Sequence, residues 1–319
     1  MTLVKRIFLQ REYGVAALLL LMIVAVTARD HNFLALGNFR DIFLNAVPVA
    51  IVACGLTFVI VLGEIDISVG SLLGLASVAL GVVTSSDRMG HSVGQGIAAV
   101  LLLGTFVGLL NGVLVVYGRV PSIIVTLGML TALRGVMLIV LNGSIQNADS
   151  VRFLGTGSVF GIPVPLLVAA AVLIFSTVLA IYTPLGRRLY AAGSNPHAAE
   201  LAGLSVRKLK LFAFVYTGFL TALAALVTAP QLQIIEESVG RDFELDVVTA
   251  VVVGGTVLSG GRGTIAGSLL AAILLGSVST ALIFLKFSAT DQWERAIKGG
   301  FILAAVLVDR LARRDKEAE

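Results

Sequence analysis

The sequence predicts an all-α membrane protein, a polytopic helical bundle of about 10 transmembrane helices. Hydrophobic residues make up 57% of the 319 residues and charged residues 13%, and the mean hydropathy is +1.00. Soluble domains carry about 25% charged residues, and a soluble chain of this length has too little interior to bury so much apolar surface. Apolar runs close to the roughly 20 residues that cross a bilayer recur along the chain. Soluble enzymes and nucleic-acid-binding proteins are therefore excluded, and no nucleic-acid partner is expected.

Ten apolar stretches are candidate membrane spans. They are 13–28, 42–62, 67–84, 93–117, 120–141, 163–182, 211–229, 245–258, 264–286 and 295–311. The stretch 245–258 is short for a full crossing, and 67–84 follows directly on two acidic residues, so eight spans remain an alternative to ten. Because the rest of the chain consists of loops and ends, we expect residues 1–319 to form a single transmembrane domain.

Positive charge predicts that both termini are cytoplasmic. Lys5, Arg6 and Arg11 precede the first span, and most other Lys and Arg residues fall in segments that this orientation places inside. Such a bias marks the cytoplasmic loops of membrane proteins. The outer segments hold Arg29, Arg40, Arg88, Arg152 and Arg241. The first span could instead be a signal peptide cleaved near Ala28, but the next span would then have to insert in the opposite sense, which favours an uncleaved anchor.

Two loops stand out. Residues 230–244 are acidic and are expected to form a hydrated face outside. The longest inner segment, 183–210, is basic and predicts a short helix over 196–202, because Asn195 is a good N-cap, Pro196 suits the first helical position and Gly203 can end the helix. A helix this short has only marginal stability when it is isolated in water. It either lies on the membrane surface or docks a cytoplasmic subunit.

The stretch Gly63-Glu-Ile-Asp-Ile-Ser-Val-Gly70 places two acids between the second and third spans. Each acid would cost about 2.5–3.5 kcal/mol at the centre of a lipid-facing helix, so both are expected at the inner boundary or facing a hydrated interior. The stretch is either a polar turn or part of a solute path. Residues 267–270 repeat the Gly-Ser-Leu-Leu of 70–73. Glycine-broken internal symmetry of this kind points to a transporter's solute path, with chance similarity as the alternative.

Polar side chains within the spans are few. Asn111 and Arg134 carry the highest cost in lipid and are expected to face the interior. The sequence contains no Gly-x-x-x-x-Gly-Lys-Ser/Thr phosphate loop, no nucleophile–histidine set, one cysteine (Cys54) and three scattered histidines. We therefore expect no catalysis, no metal and no cofactor on this chain.

Four stretches, in this order, resemble the permease subunits of ribose-type sugar ABC importers: 63–73, 120–135, 186–203 and 249–263. The resemblance extends from about residue 40 to residue 310. That family often has a second glycine where Glu64 stands.

The resemblance implies a multi-pass permease domain in the bacterial cytoplasmic membrane that imports a monosaccharide of the pentose or hexose class. Its implied partners are a second permease subunit, identical or homologous, two cytoplasmic ATP-binding domains that hold ATP–Mg, and a periplasmic or lipid-anchored solute-binding protein. Coupling to the ATP-binding subunits is carried over to Ser194, Asn195, Pro196, Ala198, Ala199, Leu201 and Gly203. The expected solute pathway contains Asp66, Ser68, Gly70, Asn111, Thr126, Arg134, Gly260 and Gly261.

Other functions remain open at this point. An ABC permease for autoinducer-2 or for branched-chain amino acids would share the general architecture. A secondary transporter driven by an ion gradient is disfavoured by the scarcity of buried acids, and an integral membrane enzyme by the lack of a nucleophile or metal set. Nothing in the sequence chooses among individual sugars such as ribose, xylose or rhamnose.

Overall fold

The computed structural model describes residues 11–85, 89–142, 148–232 and 234–317. Lys5, Arg6 and Arg88, which entered the charge argument, lie outside the described residues. Within these ranges the chain forms thirteen α-helices, which confirms the all-α class. The helices are α1 (Arg11–Arg29), α2 (Leu36–Val61), α3 (Val69–Thr84), α4 (Val93–Val116), α5 (Ser122–Leu141), α6 (Arg152–Thr156), α7 (Val164–Tyr182), α8 (Pro184–Ser194), α9 (Pro196–Leu201), α10 (Val206–Thr228), α11 (Phe243–Val253), α12 (Ile265–Phe284) and α13 (Thr290–Glu317).

Short elements complete the described chain. Three 3-10 helices span His31–Leu34, Asp149–Val151 and Ala229–Gln231. The strands β1 (Ser158–Val159) and β2 (Ile162–Pro163) form an antiparallel hairpin, a local addition that the sequence did not predict.

Six helices in the described part are long and apolar enough to cross a membrane: α2, α4, α5, α7, α10 and α12. The apolar part of α1 (Tyr13–Arg29) and the whole of α3 (Val69–Thr84) are shorter. Helix α11 has 11 residues, and α13 has 28 residues with a polar, charged beginning and end. Each candidate stretch from the sequence coincides with one of these ten helices, but the number of crossings and the side on which the termini lie remain predictions.

Glycines hold the centre of the bundle together. Helix α10 packs between α4 and α2, and a Cβ added to Gly104 or Gly108 of α4 would collide with the backbone of α10. A Cβ at Gly55 of α2 would lie 2.7 Å from the Cα of Thr217 on α10. Small residues that bring helix backbones together are the usual basis of helix association in membranes. These three helices therefore form the closely packed core that positions the loops described below.

The connections between helices gather at two ends of the bundle. One end, here called the glycine-rich end, carries residues 62–68, 117–121, 183–205 and 254–264. The opposite end, here called the hairpin end, carries residues 30–35, the β1–β2 hairpin with its neighbours over 148–163, and residues 285–289.

The segment 232–242 differs from the outer loop that the sequence predicts. After the 3-10 helix at the hairpin end, the chain turns back into the bundle. The carbonyl oxygen of Val239 reaches Arg134 in the middle of α5, and Gly240 lies against Gly70 at the start of α3. Helix α11 then continues to the glycine-rich end. A non-helical stretch and a short helix thus share one passage, as in the discontinuous helices of transporters. In the sequence, the charged residues of this segment look like those of a surface loop. The residues that contact the segment, Arg134 and Gly70, lie far away along the chain, so the sequence does not show the contact.

Candidate functional site

Helix α2 ends in a turn that introduces the acidic stretch. Gly63 adopts φ +74°, and the N–H of Glu64 donates to the carbonyl oxygen of Val59 at 3.1 Å. This is the six-to-one bond of a Schellman motif, in which glycine takes the left-handed position at low cost. Residues 64–68 consequently leave the helix axis and fold beneath the start of α3.

Asp66 lies at the centre of a buried hydrogen-bond chain. Its side chain is 2% exposed and accepts from the N–H of Ser68 at 2.9 Å and from the Ser68 hydroxyl at 2.6 Å. Asn111 of α4 donates its Nδ2 to the Ser68 Oγ at 2.9 Å. The Oδ1 atom of Asn111 is buried without a hydrogen-bond partner among the described residues. The structure therefore brings together Asp66, Ser68 and Asn111, three of the residues that the sequence assigned to a solute pathway.

The start of α5 holds the same stretch from the other side. The N–H of Ile65 donates to the Ser122 hydroxyl at 3.1 Å, and the Thr126 hydroxyl donates to the carbonyl oxygens of Ser122 at 2.9 Å and Ile65 at 3.3 Å. Thr126 thus lies with the Asp66 stretch, and its place in a solute pathway remains a prediction. Sequence reasoning missed Ser122, although a serine directly after Pro121 at the start of an apolar span is suited to bind backbone groups.

Gly70 and Arg134 belong to a second cluster, around the segment that turns back into the bundle. Arg134 donates its Nη1 to the carbonyl oxygens of Glu237 at 3.1 Å and Val239 at 2.8 Å. A Cβ at Gly70 would collide with the carboxylate of Glu244 and lie 2.7 Å from the carbonyl oxygen of Gly240. Arg134 therefore satisfies backbone oxygens that a helix would otherwise have bonded internally.

Charged groups follow this segment into α11. The Oε2 atom of Glu244 is buried without a hydrogen-bond partner among the described residues. Asp246 pairs with Lys298 of α13 at 2.8 Å, and Lys298 also pairs with Glu294 at 2.8 Å. Sequence reasoning placed Glu244 in the outer loop 230–244 and Asp246 at the start of the candidate span 245–258. The nearness of Glu244 to the apolar run was the signal that it belongs to the helix.

One face of the segment is open. Glu236, Glu237, Ser238 and Arg241 are exposed, and the backbone between them is not helical. Lipid cannot cover such a surface, because its charged side chains would lose their hydration and its backbone is not helical. This face must therefore contact either water or another protein.

Gly260 and Gly261 lie apart from both clusters, against α8. The N–H of Gly261 donates to the carbonyl oxygen of Val61 at 2.8 Å, and the Ser194 hydroxyl lies 3.4 Å from the carbonyl oxygen of Gly261. A Cβ at Gly260 would lie 3.0 Å from the carbonyl oxygen of Gly193 and 3.2 Å from the nitrogen of Gly63. The two glycines thus join the inner segment 183–205 to the turn at the end of α2.

A tyrosine strengthens this junction. The Tyr190 hydroxyl donates to the carbonyl oxygen of Gly263 at 2.9 Å. Burial raises the pKa of Tyr190 to about 12, so the phenol remains a donor even at a pH near 10, where an exposed tyrosine begins to ionise.

The inner segment folds as two short helices. Thr183 caps α8 by accepting from the N–H of Gly186 at 3.1 Å, and Asn195 caps α9 by accepting from the N–H of Ala198 at 2.9 Å. Gly203 adopts φ +80°, and the N–H of Leu204 bonds to the carbonyl oxygen of Ala199 at 3.0 Å. The capped helix that the sequence predicts is confirmed, with its last helical residue at Leu201.

Helix α9 projects from the bundle. Ala199 is buried, whereas the Leu201 side chain is 78% exposed, and Ser194, Asn195, Pro196, Ala198 and Gly203 are also exposed. An apolar side chain on a short, capped helix forms a rigid projection that is suited to a groove on another protein.

A metal site or a cavity would be another place where a ligand could bind. Across the residues that the structure describes, no three His, Cys, Asp or Glu side chains come close enough to hold a metal. A cavity of about 210 Å³ between α2, α7 and α12 is lined entirely by apolar side chains, including Phe43, Leu166 and Ile273. Such a lining offers nothing to a hydroxylated solute.

Comparison with known proteins gives consistent matches along the chain. Residues 38–306 match the family model described as branched-chain amino acid transport system / permease component. The chain is 37% identical over 310 residues to the ribose import permease protein of Haemophilus influenzae, covering 95% of this chain and 94% of that protein. It is 34% identical over 307 residues to the L-arabinose ABC transporter permease protein of Azospirillum brasilense, covering 96% and 89%.

The name of a third relative gives a different solute. The autoinducer 2 import system permease protein of Yersinia pestis is 35% identical over 303 residues, covering 92% of this chain and 83% of that protein. The family match includes both clusters and the whole inner segment 183–205.

Proposed function

This chain belongs to the family of branched-chain amino acid transport system permease components, and from that premise we propose that it is the transmembrane permease subunit of an ATP-driven ABC importer for a monosaccharide. The observation that carries the proposal is the similarity, along nearly the full length of both chains, to permeases named for ribose and L-arabinose. Both are pentoses, which supports a monosaccharide of the pentose or hexose class as the solute. The chain is a multi-pass protein of the bacterial cytoplasmic membrane.

The topology that fits this role has ten spans with both termini in the cytoplasm. In this arrangement the glycine-rich end faces the cytoplasm. Exposed basic side chains at that end support it: Arg187, Arg188, Arg207, Lys208 and Arg262. Positive charge of this kind is retained on the cytoplasmic side of membrane proteins.

The partners follow from the role. A permease of this family works with ATP-binding and substrate-binding proteins. We assign two ATP-binding domains to the cytoplasmic side, with ATP–Mg held on them and no cofactor on this chain, and a periplasmic or lipid-anchored binding protein to the other side. A second permease subunit, identical or homologous, would cover the open face of residues 236–241. The chain itself is a transport subunit and not an enzyme.

The contacts at the glycine-rich end support a path for the mechanical step. Closure of the ATP-binding domains would displace α9 and the attached α8. Gly193 and Ser194 contact the turn at Gly260 and Gly261, which in turn bonds to the end of α2. Movement there would reach the Asp66 stretch and, through α3, the segment held by Arg134. The solute pathway beside these two clusters would then alternate between outward-open and inward-open states.

A second candidate solute is an autoinducer-2-type furanosyl compound, favoured by the Yersinia pestis relative. Branched-chain amino acids, which the family description names, form a third class.

Uptake tests both the mechanism and the solute. The chain, assembled with the ATP-binding and solute-binding proteins that co-purify with it from its native membranes, would be placed in proteoliposomes and offered labelled ribose, arabinose, xylose, autoinducer-2 and leucine. We expect uptake of a sugar. This uptake should require ATP on the side of the vesicle membrane that corresponds to the cytoplasm. Uptake driven by an ion gradient without ATP would refute the ABC importer, and uptake of leucine alone would refute the sugar.

A further inference from the structure

Glu64, in the turn that follows α2, has a charged partner in the structure. Its carboxylate forms an ion pair with the ammonium group of Lys210, on the first turns of α10. The two side chains are only 14% and 25% exposed. Partial burial shields the pair from screening by salt, so the attraction between them is stronger than that of an ion pair on an open surface.

The lysine end of the pair is attached closely to α9. Residues 202–205 alone separate α9 from α10, and this turn is fixed by the hydrogen bond from Leu204 to Ala199 and by Gly203 in the left-handed conformation. Ala199 is buried at the same junction. A displacement of α9 is therefore passed on to the first turns of α10, where Lys210 lies.

The glutamate end is attached closely to the Asp66 cluster. Glu64 is fixed to α2 by the backbone bond from its N–H to Val59. The next residue, Ile65, bonds to Ser122 of α5, and Asp66 and Ser68 bond onward to Asn111 of α4. A pull on the Glu64 carboxylate therefore acts on the stretch that carries the cluster.

We propose that the Glu64–Lys210 ion pair is a positioning link that makes the Asp66 stretch follow the movement of α9. Without it, only the path through Gly260, Gly261 and the end of α2 would remain, and residues 64–68 would follow α9 incompletely. ATP hydrolysis would then continue with less solute imported for each ATP. The inference rests on the proposed function as an ABC permease and adds to it a positioning role for this ion pair.

A charge-swap cycle tests the link in the complete importer. The variants are Glu64→Gln, Lys210→Met, the double variant, and the exchange Glu64→Lys with Lys210→Glu. The measured quantity is solute imported per ATP hydrolysed in proteoliposomes, with whichever of D-ribose, L-arabinose or D-xylose the unaltered complex imports fastest as probe. We expect each single variant to lower this ratio about fivefold, the double variant to lower it no further, and the exchange to restore most of it.

A matched control separates the link from a loss of positive charge. Lys208 is an exposed lysine on the same turn of α10, so Lys208→Met removes the same charge without touching Glu64. The ratio should stay at the level of the unaltered complex. ATP hydrolysis without sugar and the yield of assembled complex should be the same in all variants.

The outcomes distinguish this inference from the proposed function. If the unaltered complex imports no sugar with ATP, both fail. If it imports sugar but Glu64→Gln keeps the same ratio, or the charge exchange restores nothing, the link is refuted and the importer assignment stands.

Discussion

The backbone N–H of Gly261 donates a hydrogen bond of 2.8 Å to the carbonyl oxygen of Val61, the last residue of α2. Val61 has no donor of its own helix to bond to, because a helix leaves its last carbonyl oxygens unpaired. The turn around Gly261 satisfies this oxygen and at the same time touches Ser194 of α8. One backbone contact thus ties the inner segment, the 254–264 turn and the end of α2 together.

Close approach at this junction requires glycine at position 193. A Cβ there would collide with the carbonyl oxygen of Val61. We expect Gly193→Ala to destabilise the protein by about 1–3 kcal/mol, as overpacking does in well-packed interiors. Thermal unfolding of the purified chain measures this. Gly94→Ala is the control, because Gly94 is helical and has open space around it; equal melting temperatures for the two variants would contradict the close contact.

The Asp66 cluster is expected to depend on its carboxylate. Asp66→Ala would leave the buried N–H and hydroxyl of Ser68 without an acceptor, at a cost of about 1–3 kcal/mol. The nearly isosteric Asp66→Asn keeps an acceptor oxygen and should be milder. Melting temperature and ATP-driven uptake together test this order. An Asp66→Ala variant as stable and active as the unaltered protein would show that the buried hydrogen bonds around Asp66 do not contribute to stability or transport.

Arg134 should control how firmly the segment 236–241 stays inside the bundle. Arg134→Met removes the donors that hold the carbonyl oxygens of Glu237 and Val239. We expect Ile235→Cys, at a fully buried position beside this segment, to react with a water-soluble maleimide about tenfold faster in the Arg134→Met background than with Arg134 present, because local opening becomes easier by roughly 1.4 kcal/mol, within the range for bonds to charged groups. The native Cys54 is buried and does not compete for the label. Equal labelling rates would contradict the clamping role.

Helix α9 should be needed for attachment of the ATP-binding subunit. Leu201→Asp replaces the exposed apolar side chain by a charge and is expected to reduce co-purification of that subunit at least about tenfold, as loss of a central contact does. Phe160→Asp is the control, since Phe160 is fully exposed at the hairpin end, on the opposite side of the bundle. Retention of the subunit by Leu201→Asp would refute docking through α9.

The cap of α9 gives a separate prediction. Asn195→Ala removes the acceptor for the N–H of Ala198 and should destabilise the helix by about 0.5–2 kcal/mol. We expect transport to fall while ATP hydrolysis by the complex continues, because a frayed helix transmits movement poorly. Replacement of Gly203 should act in the same direction, since its φ of +80° is strained for other residues. Unchanged coupling in both variants would contradict a role for α9 in transmission.

Sequence reasoning predicts the local features of this fold well. Each of the ten apolar stretches coincides with a helix, and the cap at Asn195 and the stop at Gly203 are where the residue types indicate. These features depend on neighbours within a few residues. The hydrogen bonds of Asp66 to Ser68 are equally local, whereas the bond from Asn111 to Ser68 depends on how α3 and α4 pack.

The features that were missed depend on partners far apart in sequence. Residues 237–244 resemble a hydrated loop because their charges are visible in the sequence, while Arg134, Gly70 and Gly74, which accommodate them, are not adjacent. Gly260 and Gly261 were assigned to the solute pathway and lie instead beside Gly193 and Ser194, so their place in a pathway remains a prediction. Only the packed bundle shows which glycine faces which backbone.

The proposed import of a sugar by this chain depends on ATP bound to partner subunits. Its most direct test is uptake of labelled ribose or arabinose by proteoliposomes that contain the complete complex, with and without ATP. We expect sugar accumulation that depends on both ATP and the loaded binding protein. Accumulation by this chain alone, driven by an ion gradient and indifferent to ATP, would contradict it.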